Sequence, residues 1–118
     1  MAPLSHLEIA TQSVLRLVKE EASYHRELKE QTERVQRLEA QQNTDDENSE
    51  YTLKQERLAL DETKRVLPTL KQKIEDAIAK LQSLLTEEGQ KGTESNVEHI
   101  NAAKDAISKA RTAEREIA

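Results

Sequence analysis

A seven-residue repeat of apolar side chains across residues 51–88 leaves few folds open to this chain. Leu53, Leu60, Leu67, Ile74 and Leu81 form one column, and Leu70, Ala77 and Leu84 form a second column three residues on. On an α-helix the two columns merge into a single apolar seam. Pro68 falls inside the pattern, where its missing N–H and its ring ordinarily end or bend a helix. The seam keeps its phase across the proline, whereas a turn with extra residues would shift it. The phase therefore predicts one long helix over about 50–88, kinked at Pro68, in preference to two short ones.

Composition narrows what that helix can pack against. In 118 residues, 35% apolar content is matched by 35% charged, too little for a thick globular core and suited to one small domain over 1–118. With no Phe or Trp and only two Gly and two Pro, a sandwich or barrel lacks both its aromatic fill and its turns. An extended helical bundle remains. The absence of cysteine removes disulfides and thiolate metal sites and fits a reducing compartment. The first residues, MAPLSHLEIATQ, break their apolar run with His6 and Glu8, so no secretory h-region is expected, and no stretch reaches membrane-spanning length. A soluble cytosolic protein is the expectation. A net charge of −5 disfavours nucleic acid, whose binders present a basic face, and leaves a protein as the default partner.

A second seam marks helix 1 over about 5–41, through Leu7, Val14, Leu28 and Val35, with Ala10, Leu17, Tyr24 and Leu38 alongside. Ser5 followed by Glu8 reads as a capping box at its start. Glu21 and Gln31 occupy seam positions, where they weaken packing and help to fix register. The polar run QNTDDENSE (42–50) is the first connection, and Ser49 or Glu50 leads into helix 2. Gly89 and Gly92 close helix 2, and Thr93 is a candidate cap for helix 3 over about 94–117, with a stripe of Val97, Ile100, Ala103, Ile107, Ala110 and Ile117. No internal repeat is visible.

Three amphipathic helices with short polar turns bury their seams by packing up, down, up, which predicts an all-α, elongated antiparallel three-helix bundle with a shorter third helix. At 1.5 Å per residue helix 3 is roughly 35 Å long against roughly 55 Å for the others, so it is expected to run out near Asp61 and leave a two-helix arm. If the first turn is centred near residue 46, facing positions on helices 1 and 2 sum to about 92. Tyr24 then falls level with Pro68, its ring at the kink and its hydroxyl within reach of water or of the Lys64 carbonyl, which the proline leaves without a helical partner.

The residues offer little chemistry. His6, His25 and His99 have no Ser, Cys or paired carboxylate at triad or acid/base spacing, and surface histidine is the favoured reading. Gly89 and Gly92 are not followed by a phosphate-loop GK[ST]. No enzyme is expected. Asp45, Glu47, Ser49 and Glu56 match four positions of a calcium loop, but Glu50 stands where the loop needs glycine, which favours a solvated acidic turn and no metal. No other cofactor is implied. Arg16, Lys19 and Glu20 on helix 1, with Lys64, Arg65, Lys71 and Lys73 on helix 2, are dense mixed charge flanking the seam. From pattern alone a solubilising surface with intrahelical ion pairs is favoured over a docking face. No helix joins a purely basic face to aromatic anchors, which disfavours a membrane partner.

The segments DETKRVLPTL (61–70) and RLVKEEASYHRELKEQ (16–31) resemble the tubulin-binding cofactor A family, covering helices 1 and 2 in order and spacing. Helix 3 matches only in its small-apolar pattern. The resemblance implies a three-helix bundle, cytoplasmic and tied to the microtubule cytoskeleton, that captures β-tubulin after the cytosolic chaperonin. It would hold the subunit until other tubulin-folding cofactors pair it with α-tubulin, with no nucleotide chemistry of its own. Only Arg16, Lys19, Glu20, Tyr24, Lys64, Arg65 and Pro68 lie in the matching segments and carry over as partner-binding candidates, Tyr24 and Pro68 as residues that shape the bundle. The alternative is a coiled-coil scaffold or homodimerising adaptor with no tubulin role, and the residues leave monomer and homodimer open. The 42–50 connection is longer and more acidic than the family's usual turn. With few apolar contacts to oppose local opening, its amides are expected to exchange faster than those of residues 74–84, as hydrogen-exchange mass spectrometry will measure.

Overall fold

The structure, a computed structural model, describes residues 3–41 and 47–117. Helix α1 spans His6–Ala40, α2 spans Glu47–Gly89, a 3-10 turn spans Gly92–Glu94, and α3 spans Val97–Ile117, with no strand among the described residues. The fold is an all-α three-helix bundle. α2 is helical without interruption through Pro68. Its start lies one turn before the expected residue 50, so Ser49 and Glu50 are helical rather than leading in. Glu47 and Glu50 put negative charge on the positive end of the helix. Residues 42–46, the remainder of the acidic connection, lie outside the described residues.

The chain groups into two compact units, one of residues 1–20 with 71–118 and one of residues 21–70. In the first, the start of α1 lies beside the start of α3, with the His99 imidazole 3.5 Å from the Glu8 carboxylate, while α3 runs antiparallel to α2, with Arg111 2.9 Å from Glu75. Leu7, Ala10 and Val14 of α1, Ile74, Ile78 and Leu81 of α2 and Ala103, Ala106 and Ala110 of α3 are its buried apolar residues. Two of these, Ile78 and Ala106, lie off the columns read from the sequence. A third helix laid against a pair also covers the flank of the seam, so Thr11 and Ile78, each four residues beyond a column residue, are buried as well. Truncating such a side chain costs about 2–5 kcal/mol.

The stripe on α3 differs from the expected one at both ends. Val97 is 64% exposed and Ile117 43%, while Ile100 and Ile107 are half-buried and three alanines line the contact. Alanine lets a helix approach closely with little side-chain entropy to lose. The whole of α3 groups with residues 71–89 of α2, where its length alone predicted that it would run to the level of Asp61. The cap also differs. Asn96, not Thr93, accepts the His99 N–H at 3.1 Å, because residues 92–94 are taken up by the 3-10 turn. Gly92 has φ +63, the left-handed region that glycine adopts without steric cost, and the turn needs it there. Glu88 finishes the corner, its carboxylate accepting from the Asn96 N–H at 3.4 Å and from the Lys91 ammonium at 3.3 Å.

In the second unit α1 and α2 form an antiparallel pair around Val35, Leu53 and Leu60, with Leu28 and Leu38 packed against them. Arg34 meets Glu56 at 3.1 Å and Arg57 meets Glu39 at 3.0 Å, one pair just below and the other just above the expected register sum. Glu21, Gln31 and Thr63 are buried in the seam. The Thr63 hydroxyl donates to the Ala59 carbonyl at 3.1 Å, whereas the Gln31 Oε1 has no hydrogen-bond partner among the described residues. At the start of α1 the capping box forms as expected: the Ser5 N–H reaches the Glu8 carboxylate at 3.0 Å and the Glu8 N–H reaches the Ser5 hydroxyl at 3.1 Å. Replacing Asn96 by Ala is expected to destabilise the fold by about 1 kcal/mol, and Thr93→Ala to leave it nearly unchanged, as urea denaturation of the two variants will show.

Candidate functional site

The charges that flank the two seams divide by what they already bind. Arg34, Arg57 and Arg111 are committed to carboxylates on a neighbouring helix. Lys91 and Lys109 pair within one turn of their own positions, with Glu88 and Asp105. Arg16, Lys19, Glu20, Lys64 and Arg65 are exposed, and among the described residues none of them makes a salt bridge or a side-chain hydrogen bond. Among the described residues these five positions thus carry no intrahelical ion pair, as is also the case for other exposed charges such as Lys29 and Lys54.

Arg16, Lys19 and Glu20 belong to the first unit, at spacings of three and four residues that put them on one face of α1. Lys64, Arg65, Tyr24 and Pro68 belong to the second. There Lys64 and Pro68 share a face of α2 one turn apart, Arg65 lies beside them, and Pro68 is exposed. Tyr24 is half-buried. No hydrogen bond joins its hydroxyl to the Lys64 carbonyl among the described residues, so the reach expected at that level is not used within the chain. The proline leaves that carbonyl without its helical donor, on a stretch of α2 where Lys64, Arg65 and Pro68 are all exposed.

The shifted carboxylates lie elsewhere in the first unit and serve the fold. Glu75 is raised above the ordinary carboxylate value, first by its hydrogen bond with Glu114 and then by desolvation, against the pull of Arg111. Glu114 is lowered by the same hydrogen bond and by Arg111. Arg111 contacts both, at 2.9 Å and 3.2 Å, so the two carboxyls share one guanidinium. Glu8 is lowered, first by the Ser5 N–H and also by His99. None of these groups converges on a cleft with a nucleophile or base. His6 is exposed, His25 is half-buried and His99 faces Glu8. Among the described residues no three His, Asp or Glu side chains are grouped to hold a metal ion. Of the calcium-loop candidates, Glu47, Ser49 and Glu56 are helical, and Asp45 lies outside the described residues. Among the described residues no helix is long and apolar enough to cross a membrane. The surface that remains is one of uncommitted charge on rigid helices, suited to contact with another macromolecule.

Comparison with known proteins supplies a family. The model of tubulin binding cofactor A matches residues 2–107. The chain is 36% identical over 110 residues to tubulin-specific chaperone A of Saccharomyces cerevisiae, covering 93% of each chain. It is 34% identical over 82 residues to tubulin-specific chaperone A of Homo sapiens, covering 70% of this chain and 71% of that one. The crystal structure of tubulin folding cofactor A from Arabidopsis thaliana superposes with a TM-score of 0.74 at 27% identity, over 90% of this chain and 92% of that one.

The capping carboxylate gives a pH signature. A folded-state value below the unfolded one means that Glu8 stabilises the fold above its unfolded value and that this contribution is lost as pH falls through the folded value. Glu8→Gln is therefore expected to melt below the wild type at neutral pH, with the gap closing as pH drops through the acid range, as melting curves over that range will record.

Proposed function

The chain belongs to the tubulin binding cofactor A family, and from that membership we propose that it is a tubulin-folding cofactor. It captures β-tubulin released from the cytosolic chaperonin and holds it until assembly into the αβ heterodimer. The other tubulin-folding cofactors would receive the subunit from it, in the cytoplasm, where the microtubule cytoskeleton draws its subunits. The reading needs no catalysis: shielding a surface that a missing partner would cover is a binding task.

One observation carries the reading beyond membership. Arg16, Lys19, Glu20, Lys64 and Arg65, which lie in the segments that resemble the family, are exposed and uncommitted within the chain. They stand on helices that are already formed, so a partner can be met without the cost of ordering a flexible segment. Mixed charge of this kind steers encounter and fixes orientation more than it adds affinity, which keeps the complex reversible and sensitive to salt. Tyr24 and Pro68 contribute by shaping the second unit: the half-buried ring fills a seam position, and the proline sets the backbone beside Lys64 and Arg65.

The experiment is a capture assay. The isolated chain is expected to bind free β-tubulin and to ignore the assembled αβ dimer; binding both equally would favour a general scaffold. Lys64→Glu with Arg65→Glu is expected to weaken capture about tenfold at low ionic strength, with unchanged helicity by circular dichroism. Undiminished capture by that variant would remove these two residues from the contact.

A further inference from the structure

α1 and α2 of the first unit present two flanks, and α3 takes only one. Its ion pairs go to Glu8 of α1 and to Glu75 of α2. At 100° per residue, His6 and Ser13 of α1 and Lys80 of α2 point well away from those two carboxylates. Along that open flank runs a groove of about 220 Å³, whose floor is Ala10, Ala77 and Leu84 and whose walls carry Ile9, His6 and Lys80. Ile9 is 49% exposed although it lies within a turn of the buried Leu7 and Ala10.

Three features of this groove point to one kind of occupant. Its volume lies below the roughly 300–1,000 Å³ of small-molecule pockets, and it is a trough between two helices. Two of the three floor residues are alanines, Ala10 and Ala77, the same means by which α3 is admitted on the other flank through Ala103, Ala106 and Ala110. Its charge is cationic in a chain of net charge −5. No carboxylate lines it, while the adjoining cleft is lined by Glu87 and Glu88 and a cleft of the second unit by Glu27 and Glu30. Arg16, two turns from Ile9, and Lys73, two turns before Lys80, extend the cationic side. Both are exposed, and neither is ion-paired among the described residues. Asp76, between the two lysines, accepts from the Gln72 amide at 3.0 Å, and with Glu20 one turn beyond Arg16 it makes the cationic side a net rather than a pure one.

We propose that this groove seats an amphipathic, acidic helix of the tubulin subunit that the chain holds. The proposal rests on the tubulin-binding reading above. The apolar residues of the incoming helix, at spacings of three, four and seven, meet Ala10, Ala77, Leu84 and Ile9, and its carboxylates meet Lys80, Lys73 and Arg16. A fourth helix then lies on the pair opposite α3.

Binding of free β-tubulin is measured for the wild type, Ile9→Glu, Lys80→Glu and Lys80→Gln, with circular dichroism on each and sedimentation of the pure chain. Glutamate in the first turns of α1 favours the helix, and both positions are exposed, so these variants keep the fold; Ile9→Ser replaces Ile9→Glu if its helicity falls. Ile9→Glu is expected to weaken binding about tenfold or more. Lys80→Glu is expected to weaken it comparably at low salt and to converge on the wild type as salt rises, with Lys80→Gln between them. If the wild type captures β-tubulin and the Ile9 and Lys80 variants capture it equally well, the groove is not the seat, and the tubulin-binding reading stands. If the wild type itself captures none, that reading fails and the groove proposal loses its premise and falls with it. If the wild type sediments as a dimer that Ile9→Glu converts to monomer, a second copy fills the groove and the proposal is overturned.

Discussion

Everything in this fold follows from keeping one apolar seam in phase along two long helices. The chain has no Phe, no Trp and no cysteine, so neither aromatic bulk nor cross-links can hold it. Aliphatic burial between α1 and α2 must offset the ordering of the backbone. That requirement accounts for the treatment of Pro68. A proline inside a helix forfeits one backbone hydrogen bond and strains the turn before it, at about 3 kcal/mol. Breaking the helix there would cost more. Leu60 and Leu70 are buried before the division between the units and Ile74, Ile78 and Leu81 after it, and a reversal or an added residue would rotate one set away from α1. Pro68 and Lys64 are both exposed, and a backbone carbonyl freed on an exposed face costs less than one freed in a core.

The same seam is judged differently by the two units. Where only two helices meet, the seam is a single narrow strip with solvent along both edges, and a polar side chain can sit in the column. Gln31, Thr63 and Glu56 do so, the last held by Arg34. Gln31 carries the largest cost of the three, with a buried oxygen that no donor reaches among the described residues. Where α3 closes one flank, the columns widen into a three-sided core, and Thr11, whose hydroxyl donates to the Leu7 carbonyl at 2.8 Å, is the polar residue admitted on α1.

The columns of α1 and α2, the capping box and the unbroken passage through Pro68 were legible in the sequence because each is local or periodic. Seven-residue spacing needs no knowledge of a partner. The features that were not legible depend on where α3 lies. Ile78 reads as a flank position until a third helix covers it, and Ala106 is indistinguishable from any other alanine of α3. Val97 and Ile117 look like core because they are β-branched and in phase, yet they sit at the ends, where nothing packs on them. Asn96 lost its place to Thr93 in the reading because a 3-10 turn between them leaves no periodic trace. Charges showed the same limit. Arg34, Arg57 and Arg111 look no different in the sequence from Arg16 or Arg65, and only the three-dimensional structure separates those paired across helices from those with no ion pair among the described residues.

That separation bears on how a holding protein lets go. The larger exposed apolar side chains among the described residues, including Ile9, Leu58, Val66 and Val97, are distributed over three helices. A grip made mainly of apolar area would be slow to release, since dissociation rates fall as more surface is fully desolvated. Under the tubulin-holding reading, contact assembled from a small apolar groove and from rigidly mounted, uncommitted charges has the opposite character. The charges raise the rate of encounter and are weakened by competing ions or by a better-matched partner, while the modest apolar contact sets orientation. On that reading the charged contacts are made by residues outside the apolar core, while the groove floor shares Ala10 with it, so release uncovers one edge of the core and leaves the ion pairs of the bundle in place.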